Sequence, residues 1–337
     1  MRVCIITVFH EMNYGAYLQA YALGKRLERD GHDVWYYEKS PWRVMDYVHA
    51  LHLRETRNIG FNIGLLTSYM KAWKRLKRTS SPDGFDVVVI GSDELWNVRN
   101  VNFRHEGYYI GEDIASNKCI TYAVSCNTCS AEEFLRQYPE LDDFSKLDDI
   151  SVRDAKTYDL VRSLSNRVPI NVVDPTFLVD YDVPKPKEQG KYVLIYGYYF
   201  TDEEVARIRE YLRRYDDVTV ISAGFPHAWC DKCVPCGPFE FLGYIKYAQE
   251  VITSTFHGTV FSIIFRKHFL SFARDNAKTL DVLHKFGLDD QNVSGKDVEH
   301  MRSEVRYDQG PETRIREWTS RSLAYLDRYF ATENGEG

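Results

Sequence analysis

A chain of 337 residues is too long for one small core and suits two domains. Apolar residues make up 44%, aromatic residues 14% and charged residues 27%, the proportions of a chain that folds rather than of a disordered or collagen-like one. With 43 basic against 49 acidic residues, the net charge of −6 provides no global positive field and argues against nucleic-acid binding.

Residues 3–8 form a first apolar run that follows a single basic residue and stops before His10, which reads as a buried strand and not as a signal peptide. The loop Asn13-Tyr14-Gly15-Ala16 leads into a helix expected over 16–29, where Leu18, Ala22, Leu23 and Leu27 share one face before Gly31. Strand-like runs recur at residues 86–91, 119–124, 170–174, 192–197, 218–223, 250–254 and 269–273, separated by stretches of helical period. That alternation predicts an α/β chain built on parallel sheets. Two prolines and mixed charges between Asp180 and Gly190 mark a linker. Residues 1–180 and 190–310 are therefore expected to form two Rossmann-like domains facing across a ligand cleft at the carboxyl ends of their strands. A last helix over 311–331 is expected to cross back to the first domain, with 332–337 frayed.

No stretch approaches the roughly 18 apolar residues of a membrane span, so a cytoplasmic location is expected. Seven cysteines, an odd number, fit reduced thiols better than a disulfide framework. Cys126 and Cys129, and Cys230, Cys233 and Cys236, have spacings that zinc or iron–sulfur sites use, but neither group is completed by a nearby fourth ligand. Between Trp42 and Thr79 eight basic residues (Arg43, Arg54, Arg57, Lys71, Lys74, Arg75, Lys77, Arg78) face only Asp46 and Glu55. This segment suits either a solvated helix face or peripheral contact with anionic headgroups.

The densest candidate site lies where the run ending at Thr253 passes through Ser254-Thr255-Phe256-His257-Gly258-Thr259 into an apolar helix. At such a turn the first helical N–H groups lack partners and favour a phosphate or carboxylate, with Gly258 allowing close approach. His257 adds a group that changes charge near neutrality. The same pattern occurs at Gly91-Ser92-Asp93-Glu94-Leu95-Trp96-Asn97, where a carboxylate could engage sugar hydroxyls and Trp96 could stack on a sugar ring, or Ser92 or Asp93 could simply cap a helix. Arg153 follows a strand and suits bidentate capture of an anion, and Asp174 sits at a further strand end. Neither a Gly-x-Gly-x-x-Gly nor a Walker loop is present, which removes the dinucleotide-cofactor reading.

Taken in order, Asn13-Tyr14-Gly15-Ala16-Tyr17-Leu18-Gln19-Ala20-Tyr21-Ala22-Leu23, the Gly91 to Asn97 turn, Tyr122-Ala123-Val124-Ser125, Ser151-Val152-Arg153-Asp154, Asp174-Pro175-Thr176 and the Ser254 to Thr259 turn resemble the polysaccharide pyruvyl transferase family. The resemblance implies two Rossmann-like halves similar to GT-B glycosyltransferases. It also implies transfer of pyruvyl from phosphoenolpyruvate to two hydroxyls of one sugar, and the basic stretch from Met70 to Arg78 would suit a polyprenyl-phosphate-linked acceptor. His257 and Asp93 would be the catalytic groups. Arg153 would hold the donor, and Ser254, Thr255, Gly258, Thr259, Asn13, Gly15, Ser92, Trp96, Asn97, Ser125 and Asp174 would complete substrate binding, with no metal or further cofactor required. Many relatives carry an Asp where this chain has Ala16, so a role assigned to that Asp does not transfer. Two alternatives stay open: a GT-B glycosyltransferase using a nucleotide sugar, and an inactive metal- or redox-linked binding protein.

Overall fold

Short hydrophobic strands followed by amphipathic helices generate two parallel sheets. The computed structural model describes residues 1–40, 45–46, 59–100, 105–188 and 190–330. Among these, one compact unit contains 1–40, 74–100, 105–180 and 315–330, and the other 45–46, 59–73, 181–188 and 190–314.

In the first unit, strands β1 (Arg2–Ile6), β2 (Asp33–Tyr37), β3 (Arg78–Thr79), β4 (Val87–Ile90) and β5 (Lys118–Thr121) pair in parallel in the order β3-β2-β1-β4-β5. Val3, Cys4, Ile5, Val88, Val89 and Ile90 are fully buried, as expected of strands covered on both faces. Helix α1 (Tyr14–Arg29) starts where the Asn13 side chain accepts from the backbone N–H groups of Gly15 and Ala16, and it packs Leu18, Leu23 and Leu27 inward. A two-stranded parallel pair, β6 (Ser151–Val152) and β7 (Ile170–Asn171), joins the far side through the bridge Val124 to Val152.

The second unit repeats the topology. Strands β8 (Tyr192–Tyr196), β9 (Thr219–Ala223), β10 (Lys232–Val234), β11 (Glu250–Thr253) and β12 (Phe269–Ser271) pair in parallel in the order β10-β9-β8-β11-β12. In each sheet the strand order reverses beside the first strand, between β1 and β4 and between β8 and β11. A crevice at the carboxyl end of such a switch point is where open α/β sheets place their ligands.

One boundary differs from a continuous first domain over 1–180. Helix α2 (Ile59–Trp73) belongs to the second unit, where Gly64 lies against Pro235 and Gly237 against Ser68. The last helix, here numbered α9 (Pro311–Phe330) after the six given below, belongs to the first unit from Ile315 onward. There the Ser322 hydroxyl accepts from Val173 N–H at 2.9 Å and the Tyr325 hydroxyl donates to Thr121 O at 2.9 Å. Helices α3 (Ala131–Gln137), α4 (Ala155–Leu164), α5 (Asp202–Leu212), α6 (Pro238–Tyr247), α7 (Phe256–Ile264) and α8 (Ala277–Phe286) supply the remaining cover.

Candidate functional site

At the first unit's switch point, Gln19 ties the β1 loop to the β4 loop. Its amide nitrogen donates to Thr7 Oγ1 at 2.9 Å and Val8 O at 3.0 Å, and its oxygen accepts from the Ser92 hydroxyl at 2.7 Å. Ser92 is thereby consumed as scaffold and fully buried, not presented to a ligand. Asp93 follows with φ +77°, a left-handed conformation uncommon for a residue with a side chain and often found at functional sites.

Arg153 lies inside a buried charge cluster. Its guanidinium donates to Asp93 Oδ1 at 3.1 Å and to Asp174 Oδ2 at 2.7 Å, and the residue is only 4% exposed. Burial opposes the Arg153 charge, and the neighbouring Asp93 and Asp174 carboxylates more than offset it, holding its pKa above the ordinary value. Arg153, expected to hold the donor, is thus engaged by two carboxylates of its own unit and holds Asp93 in place. Asp174 also accepts from Thr176, so it too is committed within the cluster.

Glu11, which sequence reasoning passed over, sits half-buried on the same β1 loop. Burial, with the Asp93 charge second, pushes its carboxyl from 4.5 up to about 7. A carboxyl in the loop after the first strand was the available signal, but its environment depends on Asp93, far away in sequence.

Other expected contacts turn out to be internal. Trp96 is fully buried, donates to Tyr109 O at 2.8 Å and stacks on Phe144 with ring centroids 5.1 Å apart, so it is a core residue and not a surface for a sugar. Ser125 is fully buried and accepts from Asn127 N–H at 3.1 Å. Asn97 donates to Glu94 at 2.6 Å, while Asn13 and Gly15 form the helix cap described above. Ala16 is buried in the first turn of α1.

The second unit's switch point holds His257, 8% exposed, in the first turn of α7. Thr255 caps that helix, its hydroxyl accepting from Gly258 N–H at 2.9 Å. A Cβ on Gly258 would overlap the Thr253 and Thr255 hydroxyls, so helix-on-strand packing requires glycine there. Thr259 is fully buried and hydrogen-bonded to Thr255 O and Ser271. Ser254 is half-buried at the edge and donates to Tyr199 O at 3.4 Å. Two cations stand at the same carboxyl edge after β12. The Lys278 ammonium is 5.2 Å from the Phe256 ring centroid, and the Arg274 guanidinium is 4.6 Å from that of Tyr199 while paired to Glu204 at 2.6 Å.

The cysteines are all free thiols. Cys126 and Cys129 hydrogen-bond each other, which pushes the Cys126 thiol up and the Cys129 thiol down. Among the described residues, the only group of three potential metal ligands is the exposed set Asp297, Glu299 and His300, which includes no cysteine. In the basic segment, Arg43, Arg54 and Arg57 lie outside the described residues, as do 332–337 at the terminus. Lys77 is paired to Asp33 at 2.7 Å and Arg78 to Glu38 at 3.1 Å, which neutralises part of that charge. Among the described residues no helix is long and apolar enough to cross a membrane.

Two parallel doubly wound units with polar groups at each switch point define an α/β protein of the GT-B class. Solved structures share that fold. UDP-GlcNAc 2-epimerase from Methanocaldococcus jannaschii aligns with TM-score 0.51 and 13% identity, over 96% of this chain and 100% of that one. The enzyme from Neisseria meningitidis bound to UDP-GlcNAc aligns with TM-score 0.50 and 9% identity, over 98% and 100%. Comparison with curated proteins returned no significant match. The polysaccharide pyruvyl transferase profile matches residues 13–276, and the chain belongs to that family.

Proposed function

We propose that this protein transfers a pyruvyl group from phosphoenolpyruvate to two hydroxyls of one sugar in a polysaccharide precursor. One observation carries the reading: the family match over residues 13–276 includes both Asp93 and His257, each standing at a switch point. The start of α7, His257 and the Lys278 ammonium supply positive character for an anionic donor in a chain that is acidic overall. His257 either protonates the methylene carbon or neutralises the departing phosphate.

Two carboxyl groups on the first unit have different environments and therefore different work. Asp93, held by Arg153, orients a sugar hydroxyl. Glu11, with its carboxyl near neutrality, accepts a hydroxyl proton and returns it. One hydroxyl adds to the donor's second carbon as the methylene carbon becomes a methyl. The second hydroxyl then displaces phosphate, which leaves with the electron pair of the broken C–O bond, and the cyclic ketal closes. Arg153 acts as a positioning residue.

The test is thermal: phosphoenolpyruvate raises the unfolding midpoint of the wild type by mass action, and His257→Ala loses the shift. A shift with UDP-sugars and none with phosphoenolpyruvate overturns the reading in favour of glycosyl transfer.

A further inference from the structure

Beside the β8 and β9 ends, the second unit contains an open cavity of about 480 Å³, within the range of small-molecule sites. Tyr198 and Tyr199 line it at 58% and 59% exposure, unusual for large aromatic side chains. His227 and Trp229 also line it, with ring centroids 5.7 Å apart and planes tilted by 36°. A ring nitrogen of His227 is hydrogen-bonded to Gly197 O at 3.0 Å, and burial lowers its pKa, favouring the uncharged ring. The charged groups of the wall are one anion and one cation, Asp202 and Arg209, both on α5 and exposed.

We propose that this aromatic shelf is a carbohydrate subsite, holding a neutral, non-reacting ring of the glycan acceptor. The exposed Tyr198 and Tyr199 rings offer aromatic surface to the apolar side of a pyranose, and Asp202 and Arg209 offer an acceptor and donors for its hydroxyls. The balanced wall suits an uncharged ligand, whereas a nucleoside diphosphate would demand surplus positive charge. The shelf is continuous with the proposed reactive edge of the same unit. Ser254 donates to Tyr199 O, and Arg274, clamped by Glu204, packs against the Tyr199 ring. Tyr199 is therefore held from beneath while its outer side stays open.

This assignment rests on the pyruvyl-transfer reading for the identity of the sugar as acceptor, but binding is measured independently of turnover. The full chain is applied to an immobilised array of neutral di- to tetrasaccharides, alone and in competition with UDP, alongside the phosphoenolpyruvate thermal shift. The wild type is expected to be retained on a subset of glycans without competition from UDP. Retention should fall about tenfold in the double variant Tyr198→Ala/Tyr199→Ala and recover with Phe at both positions. Both sites are exposed, so folding is preserved, and the phosphoenolpyruvate shift of the double variant checks it. No retention by the wild type, equal retention by the double variant, or displacement by UDP overturns the shelf. A phosphoenolpyruvate shift without glycan retention sinks the shelf alone; glycan retention without that shift sinks the pyruvyl reading alone.

Discussion

Replacing Glu11 with glutamine tests the electrostatics of the first unit's loop. The carboxyl is raised from 4.5 to about 7, chiefly by burial and secondly by Asp93. The folded state therefore holds its proton more tightly than the unfolded state does. Stability contributed by the protonated form is fully present below pH 4.5 and is lost as pH rises through 7. Each tenfold change in proton affinity is worth about 1.4 kcal/mol, so the full loss is on the order of 3 kcal/mol, reduced by solvent screening of a half-buried group. Glu11→Gln keeps the shape and removes the charge. The variant should match the wild type at about pH 4 and exceed it by about 2 kcal/mol at about pH 8. Urea titrations of both proteins across this range measure the difference directly. A stability difference that does not change with pH would refute the buried-carboxyl assignment.

Arg153→Ala leaves Asp93 and Asp174 without their cation and should cost about 3–5 kcal/mol in urea unfolding; a loss under about 1 kcal/mol contradicts a buried cluster. Gly258→Ala forces a Cβ against the Thr253 and Thr255 hydroxyls. It should lower stability by about 1–3 kcal/mol, and a neutral result would mean the α7 turn is looser than described. Burial pushes the Cys4 and Cys119 thiols up to about 12, so iodoacetamide at neutral pH should leave both unmodified until urea is added. Peptide mapping that finds either labelled in the native protein would overturn the packing of β1 and β5.

Much of the fold was legible because buried parallel strands are unbroken apolar runs. β1, β4, β5, β8, β9, β11 and β12 all fall on such runs. β2 was passed over because Asp33-Val34-Trp35-Tyr36-Tyr37 alternates between buried and half-buried positions, and β3 and β10 are only two or three residues long; β6, equally short, was read only as the strand before Arg153. The unit to which α2 belongs was illegible, since a helix's periodicity reveals its buried face but not the sheet it covers. At the site, the sequence marks strand ends but not the direction in which side chains point. Trp96, Ser92, Ser125 and Thr259 look like ligand groups in sequence and point into packed surroundings. Arg153 looked available because its partners Asp93 and Asp174 lie far away along the chain. Glu11 and Lys278 gave no motif at all, because their surroundings are assembled by tertiary packing.

The central claim is the chemistry, and product analysis tests it most directly. The protein is incubated with phosphoenolpyruvate and a mixture of glycan acceptors, inorganic phosphate is followed, and the glycans are examined by mass spectrometry and NMR. Pyruvyl transfer predicts phosphate release that depends on acceptor, with a matching glycan that has gained a ketal methyl signal and lost two free hydroxyls. His257→Ala should suppress both. Glycans that remain unchanged with phosphoenolpyruvate but are extended by a sugar when a nucleotide sugar is supplied would contradict the account.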